Sequence, residues 1–194
     1  VSKSGYQVAE DQPNQQDARL LQGLPNLTST NQFRFVVNSS LLNPFSRDKV
    51  LYTRLADKGD KLQVYRAPLV LFKAAPGIDR QKGRAIISFQ DVAYNESYYG
   101  YSSKGHNDAE LLARYIQLFA HSDLWMYYSL LTSAQFGAER RKFHKSDFDN
   151  CCVLPLESLT PEQKQTILLL SERLIQGDTS VFEEIDTFFA QLYR

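Results

Sequence analysis

An α+β chain is what this sequence predicts, and three observations carry it. Short apolar runs cut by Gly and Pro fill the first half, while apolar stripes of period 3.6 fill the second. Two helix-start signatures, Ser122-Asp123 and Thr160-Pro161-Glu162-Gln163, stand in front of such stripes. The expected architecture is a small, twisted, mostly antiparallel sheet or partial barrel in the N-terminal half. Helices are expected at about 108–121, 123–135, 161–176 and 181–193.

The elements follow in order. Residues 1–30 are polar and rich in Gln, Asn and Asp, with one helical patch near 15–22 before Gly23-Leu24-Pro25, and read as an arm or linker. Residues 31–156 read as the main domain and 157–194 as a helical pair packed on it. Strands are expected at 31–38 through Phe33, Phe35 and Val37, then at 49–55, 62–66, 69–73 and 84–90. Asn43-Pro44-Phe45 is an ordinary turn signal.

Between the last two strands, Gly77 and Gly83 bound a loop that carries Arg80 and Lys82. Such a loop either projects its cations toward phosphate or a guanine edge, or forms a solvated hairpin tip. Residues 91–103 hold a run of tyrosines around Gly100, which marks a bulge or a close backbone approach. Tyrosines there either line a sheet face or stack on bases.

In the helical half, Asn107 or Asp108 can cap the first helix, and Leu111, Leu112, Tyr115, Ile116, Leu118 and Phe119 share its stripe. His121 reads as a helix-end residue and Trp125 as core. A polar turn is expected after the basic cluster Arg140, Arg141, Lys142, His144 and Lys145, before a short apolar run that closes on Pro155. Thr160 and Gln163 form a capping box, Gly177 stops that helix, and Ser180 with Glu183 repeats the box for the last one.

Composition bounds the function. Net charge is zero, yet 157–194 holds seven acids and three bases, so the remainder is modestly basic. A uniformly cationic nucleic-acid coat is excluded, whereas local cationic loops are not. No apolar run approaches the roughly 18 residues that span a bilayer, and the start shows no signal-peptide pattern. Adjacent Cys151 and Cys152 suit neither a disulfide framework nor metal-ligand spacing, which points to free thiols and a cytoplasmic setting. The chain opens on Val1 and has one methionine, Met126, as a piece of a longer protein would. His106, His121 and His144 make no HExxH-type pair, so an enzyme is the weakest reading.

Several segments together carry a family resemblance. They are Asp91-Val-Ala-Tyr-Asn-Glu-Ser-Tyr-Tyr-Gly100, Leu111-Leu-Ala-Arg-Tyr-Ile116, His121-Ser-Asp-Leu-Trp-Met-Tyr-Tyr128, Ser133-Ala-Gln-Phe-Gly-Ala-Glu-Arg140, Lys145-Ser-Asp-Phe-Asp-Asn150 and Leu154-Pro-Leu156. In this order they resemble the C-terminal target-recognition region of adenine-specific DNA methyltransferases, fused restriction–modification enzymes included. Ile185, Asp186 and Tyr193 look like that family's closing helix. The likeness covers about 69–194. Cys151-Cys152 departs from it, standing where an aromatic and a proline are usual. The glycine-rich S-adenosylmethionine loop and an intact Asn-Pro-Pro-aromatic motif are absent from this chain.

The resemblance implies recognition of double-stranded DNA without catalysis or a cofactor of its own. S-adenosylmethionine would belong to a catalytic domain elsewhere in the parent chain, which would also receive the flipped adenine. The DNA contacts it implies are Arg80, Lys82 and Arg84 on one loop and Arg141, Lys142 and Lys145 on the other. Gln81 and Gln135 are candidate base readers. Arg140, beside Glu139, either belongs to a structural ion-pair network or touches DNA. The competing expectation is a protein–protein docking or oligomerisation module of the same enzyme.

Overall fold

A computed structural model describes residues 2–9, 15–55, 60–76, 79–132, 143 and 145–194. Its centre is strand β3 (Leu69–Lys73), in a four-stranded antiparallel sheet with β1 (Ser2–Ser4), β4 (Ala85–Ser88) and β6 (Tyr98–Ser102). The order across the sheet is β1-β6-β3-β4, open at its edges rather than closed into a barrel. A two-stranded parallel piece joins β2 (Asn26–Leu27) to β5 (Ala93–Tyr94). The α+β class is therefore the observed one.

β3 reads Leu-Val-Leu-Phe-Lys because both of its faces are covered. Alternation sends Val70 and Phe72, with Ala85 and Ile87 of β4, into a core shared with the helices. Leu71 and Ile86 turn the other way, toward Tyr6, Leu21, Leu27, Phe45, Tyr65 and Tyr94. One sheet thus separates two apolar layers.

The helical layer is α2 (Ala109–His121), α3 (Asp123–Thr132), α5 (Pro161–Ile175) and α6 (Phe182–Leu192). Each covers a stretch where a helix was expected, although 133–135 lie outside the described residues. Ser122 starts α3, its Oγ accepting the Trp125 N–H at 3.2 Å. Thr160 and Gln163 close the capping box of α5, with bonds of 3.2 and 2.8 Å, and Gly177 follows its end at φ 89°. None of the described helices is long and apolar enough to cross a membrane.

Several expectations are corrected. Residues 31–38 do not form a ladder strand: they run beside the outer edge of β4 and make a single parallel bridge, Val36 to Ile87. The Asn38 side chain ends that run by accepting the Ser40 N–H and opening a 3-10 turn at Ser39–Leu41. Residues 49–55 contribute one bridge, Arg54 to Gln7, and 62–66 hold a 3-10 turn at Gln63–Tyr65. A helical turn lets consecutive Val64 and Tyr65 both be buried, which a one-sided strand cannot do. The start of the chain is no loose arm, since β1 pairs with β6 and α1 (Gln15–Leu21) buries Ala18 and Leu21. Asp178, not Ser180, makes the turn before α6, accepting the Ser180 N–H at 2.9 Å. A short helix, α4 (Lys145–Asp149), stands where a polar turn was expected.

Gly100 marks a close approach rather than a bulge. A Cβ there would lie 2.0 Å from the Tyr94 hydroxyl. That hydroxyl passes beneath β6 to donate to the Val64 carbonyl at 3.1 Å. The tyrosines of 94–101 line the two faces of the sheet, Tyr94 and Tyr98 on one and Tyr99 and Tyr101 on the other.

Candidate nucleic-acid interface

The loop between β3 and β4 is built around a single 3-10 turn, Arg80–Lys82. Asp79 caps it, its side chain accepting the Gln81 N–H at 3.0 Å. Gly83 closes it at φ 74°, where a Cβ would collide with the Arg34 carbonyl at 1.9 Å. Two cations hold the turn from outside: Arg34 Nε donates to the Gln81 carbonyl at 2.8 Å, and Lys73 Nζ to the Lys82 carbonyl at 2.7 Å. With their carbonyls engaged this way, Gln81 and Lys82 are exposed.

They border an open cleft of about 1040 Å³ that also presents Gln32, Arg34, Lys73 and Tyr99. Two acids, Asp79 and Glu96, share its wall, and Asp79 is occupied as the turn cap. Burial, with Arg34 close by, pushes the Lys73 amine below its ordinary pKa. A bound anion would relieve that crowding of positive charge. The cleft therefore offers amide side chains beside one partly buried cation, Lys73, and two exposed ones, Arg34 and Lys82, a combination that suits a polyanion with readable edges.

Of the residues expected here, Gln81 and Lys82 reach the cleft, and the arginines flanking them do not line it. Arg84 is only 2 % exposed, its guanidinium donating to the Ser122 carbonyl at 3.1 Å and lying 5.8 Å from the Trp125 ring centre. Burial pushes its pKa down to about 10. It is a core residue, and its expected contact with DNA is corrected accordingly. Arg80 points toward the helices, with Nη1 2.6 Å from Asp186 and 3.3 Å from Asp123. Its guanidinium covers the Phe182 ring at 4.7 Å. Gln135, Arg140, Arg141 and Lys142 lie outside the described residues, and Lys145 is the first residue of α4.

Phe143, a described residue within that second stretch, is bonded to the cleft wall. Its N–H donates to the Ala74 carbonyl at 2.9 Å, and its carbonyl accepts the Tyr99 hydroxyl at 3.3 Å. Ala74 and Tyr99 both line the cleft. The Phe143 ring, packed against Trp125 and Phe148, fixes the backbone at that point.

Sequence reasoning missed Gln32, Arg34 and Lys73 as cleft residues. The signal for the first two lay in the alternation itself, since Phe33 and Phe35 turn inward and leave Gln32 and Arg34 exposed. Lys73 follows four buried residues at the end of β3 and looked like a plain strand terminus. Elsewhere, Cys151 is a half-buried thiol whose pKa burial pushes up to about 12, so it is a poor nucleophile. No family model, no curated protein and no solved structure matches the chain.

Proposed function

We propose that this chain is a non-catalytic DNA target-recognition domain of a restriction–modification type adenine methyltransferase. It would hold duplex DNA for a catalytic domain, using S-adenosylmethionine, elsewhere in the parent chain. The observation that carries this reading is the gathering of Gln32, Arg34, Lys73, Gln81 and Lys82 around one cleft. The turn Arg80–Lys82 brings Gln81 and Lys82 to its rim, and the Phe143 backbone bonds to Ala74 and Tyr99 of its wall. The family resemblance over 69–194 supports the same reading.

Arg34, Lys73 and Lys82 would meet phosphates and release counterions, which supplies affinity without sequence information. Gln81 and Gln32 would offer paired donor and acceptor atoms to a base edge, each good pair giving about 1–3 kcal/mol of discrimination. Three phosphate contacts predict that log affinity falls with log salt at a slope of about −3.

Duplex DNA titrated with the chain at several salt concentrations tests this. Affinity should fall steeply with salt, and Arg34→Glu with Lys82→Glu should weaken it further. Absence of binding at low salt, or indifference to both changes, would overturn the proposal. A chain that ignores DNA yet retains a purified methylase core would favour the docking reading instead.

A further inference from the structure

We infer that Asp186 of α6 is a positioning residue for the cleft: acting through Arg80, it sets how the turn presents Gln81 and Lys82. The functional half of this inference rests on the DNA-recognition reading, and the structural half does not. Asp186 uses both carboxylate oxygens. Oδ2 takes the Arg80 guanidinium at 2.6 Å, and Oδ1 accepts the Asp123 N–H at the start of α3 at 2.8 Å. One carboxylate therefore joins two helices and the turn.

The turn is short enough for this to matter. Arg80 is its first residue, and the Arg80 carbonyl accepts the Gly83 N–H at 3.0 Å. The far end is pressed against the Arg34 backbone at Gly83. Gln81 and Lys82 emerge between those fixed points, so their direction follows from how firmly each end is held. Arg80 cannot be replaced there by a generic cation. Its plane lies over the Phe182 ring while Nη1 reaches Asp186, a pairing that needs the flat guanidinium. The second carboxylate near it, Asp123, is more distant at 3.3 Å and far more exposed. Asp186 is thus the stronger of the two carboxylate holds on Arg80, and a charge-assisted bond of this kind is roughly twice as strong as a neutral one.

The test has two arms on the full chain. Amide hydrogen exchange, measured without DNA, should rise roughly tenfold at Gln81, Lys82 and Gly83 in Asp186→Ala, less in Asp186→Asn, with the α5 amides unchanged. Unchanged exchange at the turn in both variants would overturn the inference. For the second arm, the wild-type chain selects from a randomised duplex pool, and affinity is compared between the enriched duplex and a scrambled one. Asp186→Ala should lose roughly tenfold in that ratio while its affinity for the scrambled duplex holds or rises. A ratio equal to wild type would overturn positioning. If Asp186→Ala does not fold, Arg80→Lys carries both arms with smaller changes in the same direction. A wild-type chain that enriches no sequence sinks the DNA reading alone, since the exchange arm still decides the role of Asp186.

Discussion

The Nε2 atom of His121 accepts the backbone N–H of Arg84 at 3.2 Å. Its other ring nitrogen faces the Gln117 carbonyl at 2.9 Å and must donate to it. One acceptor and one donor define a neutral imidazole with its proton on Nδ1. The ring is wholly buried, and burial lowers its pKa to about 3, while Arg84, Lys73 and Arg80 act in the same direction. His121 is therefore a fastener between the end of α2 and the start of β4.

That arrangement sets a pH dependence. The unfolded chain takes up a proton at the ordinary value of 6.5, whereas the folded chain does not until about 3. The stability contribution is complete above 6.5 and declines as pH falls toward 3, by at most about 1.4 kcal/mol per pH unit. Urea midpoints of the wild type and His121→Gln should differ most at pH 7 and converge by pH 4. A constant difference across that range would show that His121 is not the group responsible.

Gly100→Ala should destabilise the chain by about 1–3 kcal/mol, because the new methyl meets a hydroxyl that has nowhere to go. Tyr94 is fully buried and bonded to Val64, so it cannot swing aside. Denaturant unfolding reads the effect. A loss under about 0.5 kcal/mol, the range of neutral surface changes, would mean that β6 shifts freely over Tyr94.

Thr160→Ala removes the acceptor for the Gln163 N–H at the head of α5. A loss of about 1 kcal/mol is expected, measured as a shift in thermal midpoint. Gln163→Ala should cost less, since the Thr160 N–H it leaves is exposed to water. The reverse order would argue that the box is not what starts the helix.

Lys82 and Arg84 should separate cleanly although only one residue lies between them. Lys82→Ala should leave the melting temperature unchanged, weaken duplex binding, and reduce the salt slope by about 1. Arg84→Ala should cost about 2 kcal/mol or more of stability, because it empties a buried site against Trp125. Equal effects of the two on melting would contradict the orientations described.

What was legible in the sequence follows from which signals are local. Helices α2, α3, α5 and α6 were readable because stripe and start signals lie within each segment. Strand β3 was readable because a strand covered on both faces is apolar throughout. The N-terminal segment was misjudged because its buried residues, Tyr6, Ala18, Leu21 and Leu27, are scattered through polar sequence and show no period. Within the candidate site, Gly77 and Gly83 marked in the sequence the loop whose Gln81 and Lys82 border the cleft. Which of its cations face the cleft was hidden, because Asp123, Asp186 and Trp125, the partners that turn Arg80 and Arg84 away, lie well beyond it in sequence.

The bond between Arg80 and Asp186 spans 106 positions. At the usual rate of synthesis, roughly 5–20 s separate the emergence of one residue from that of the other. The edge strand β1 likewise waits for β6, since Ser2 pairs with Tyr101. The cleft rim is consequently finished only when α6 arrives. A polypeptide released before residue 186 would keep Asp79, Arg34 and Lys73 on the turn but lack the tie from Arg80 to α6.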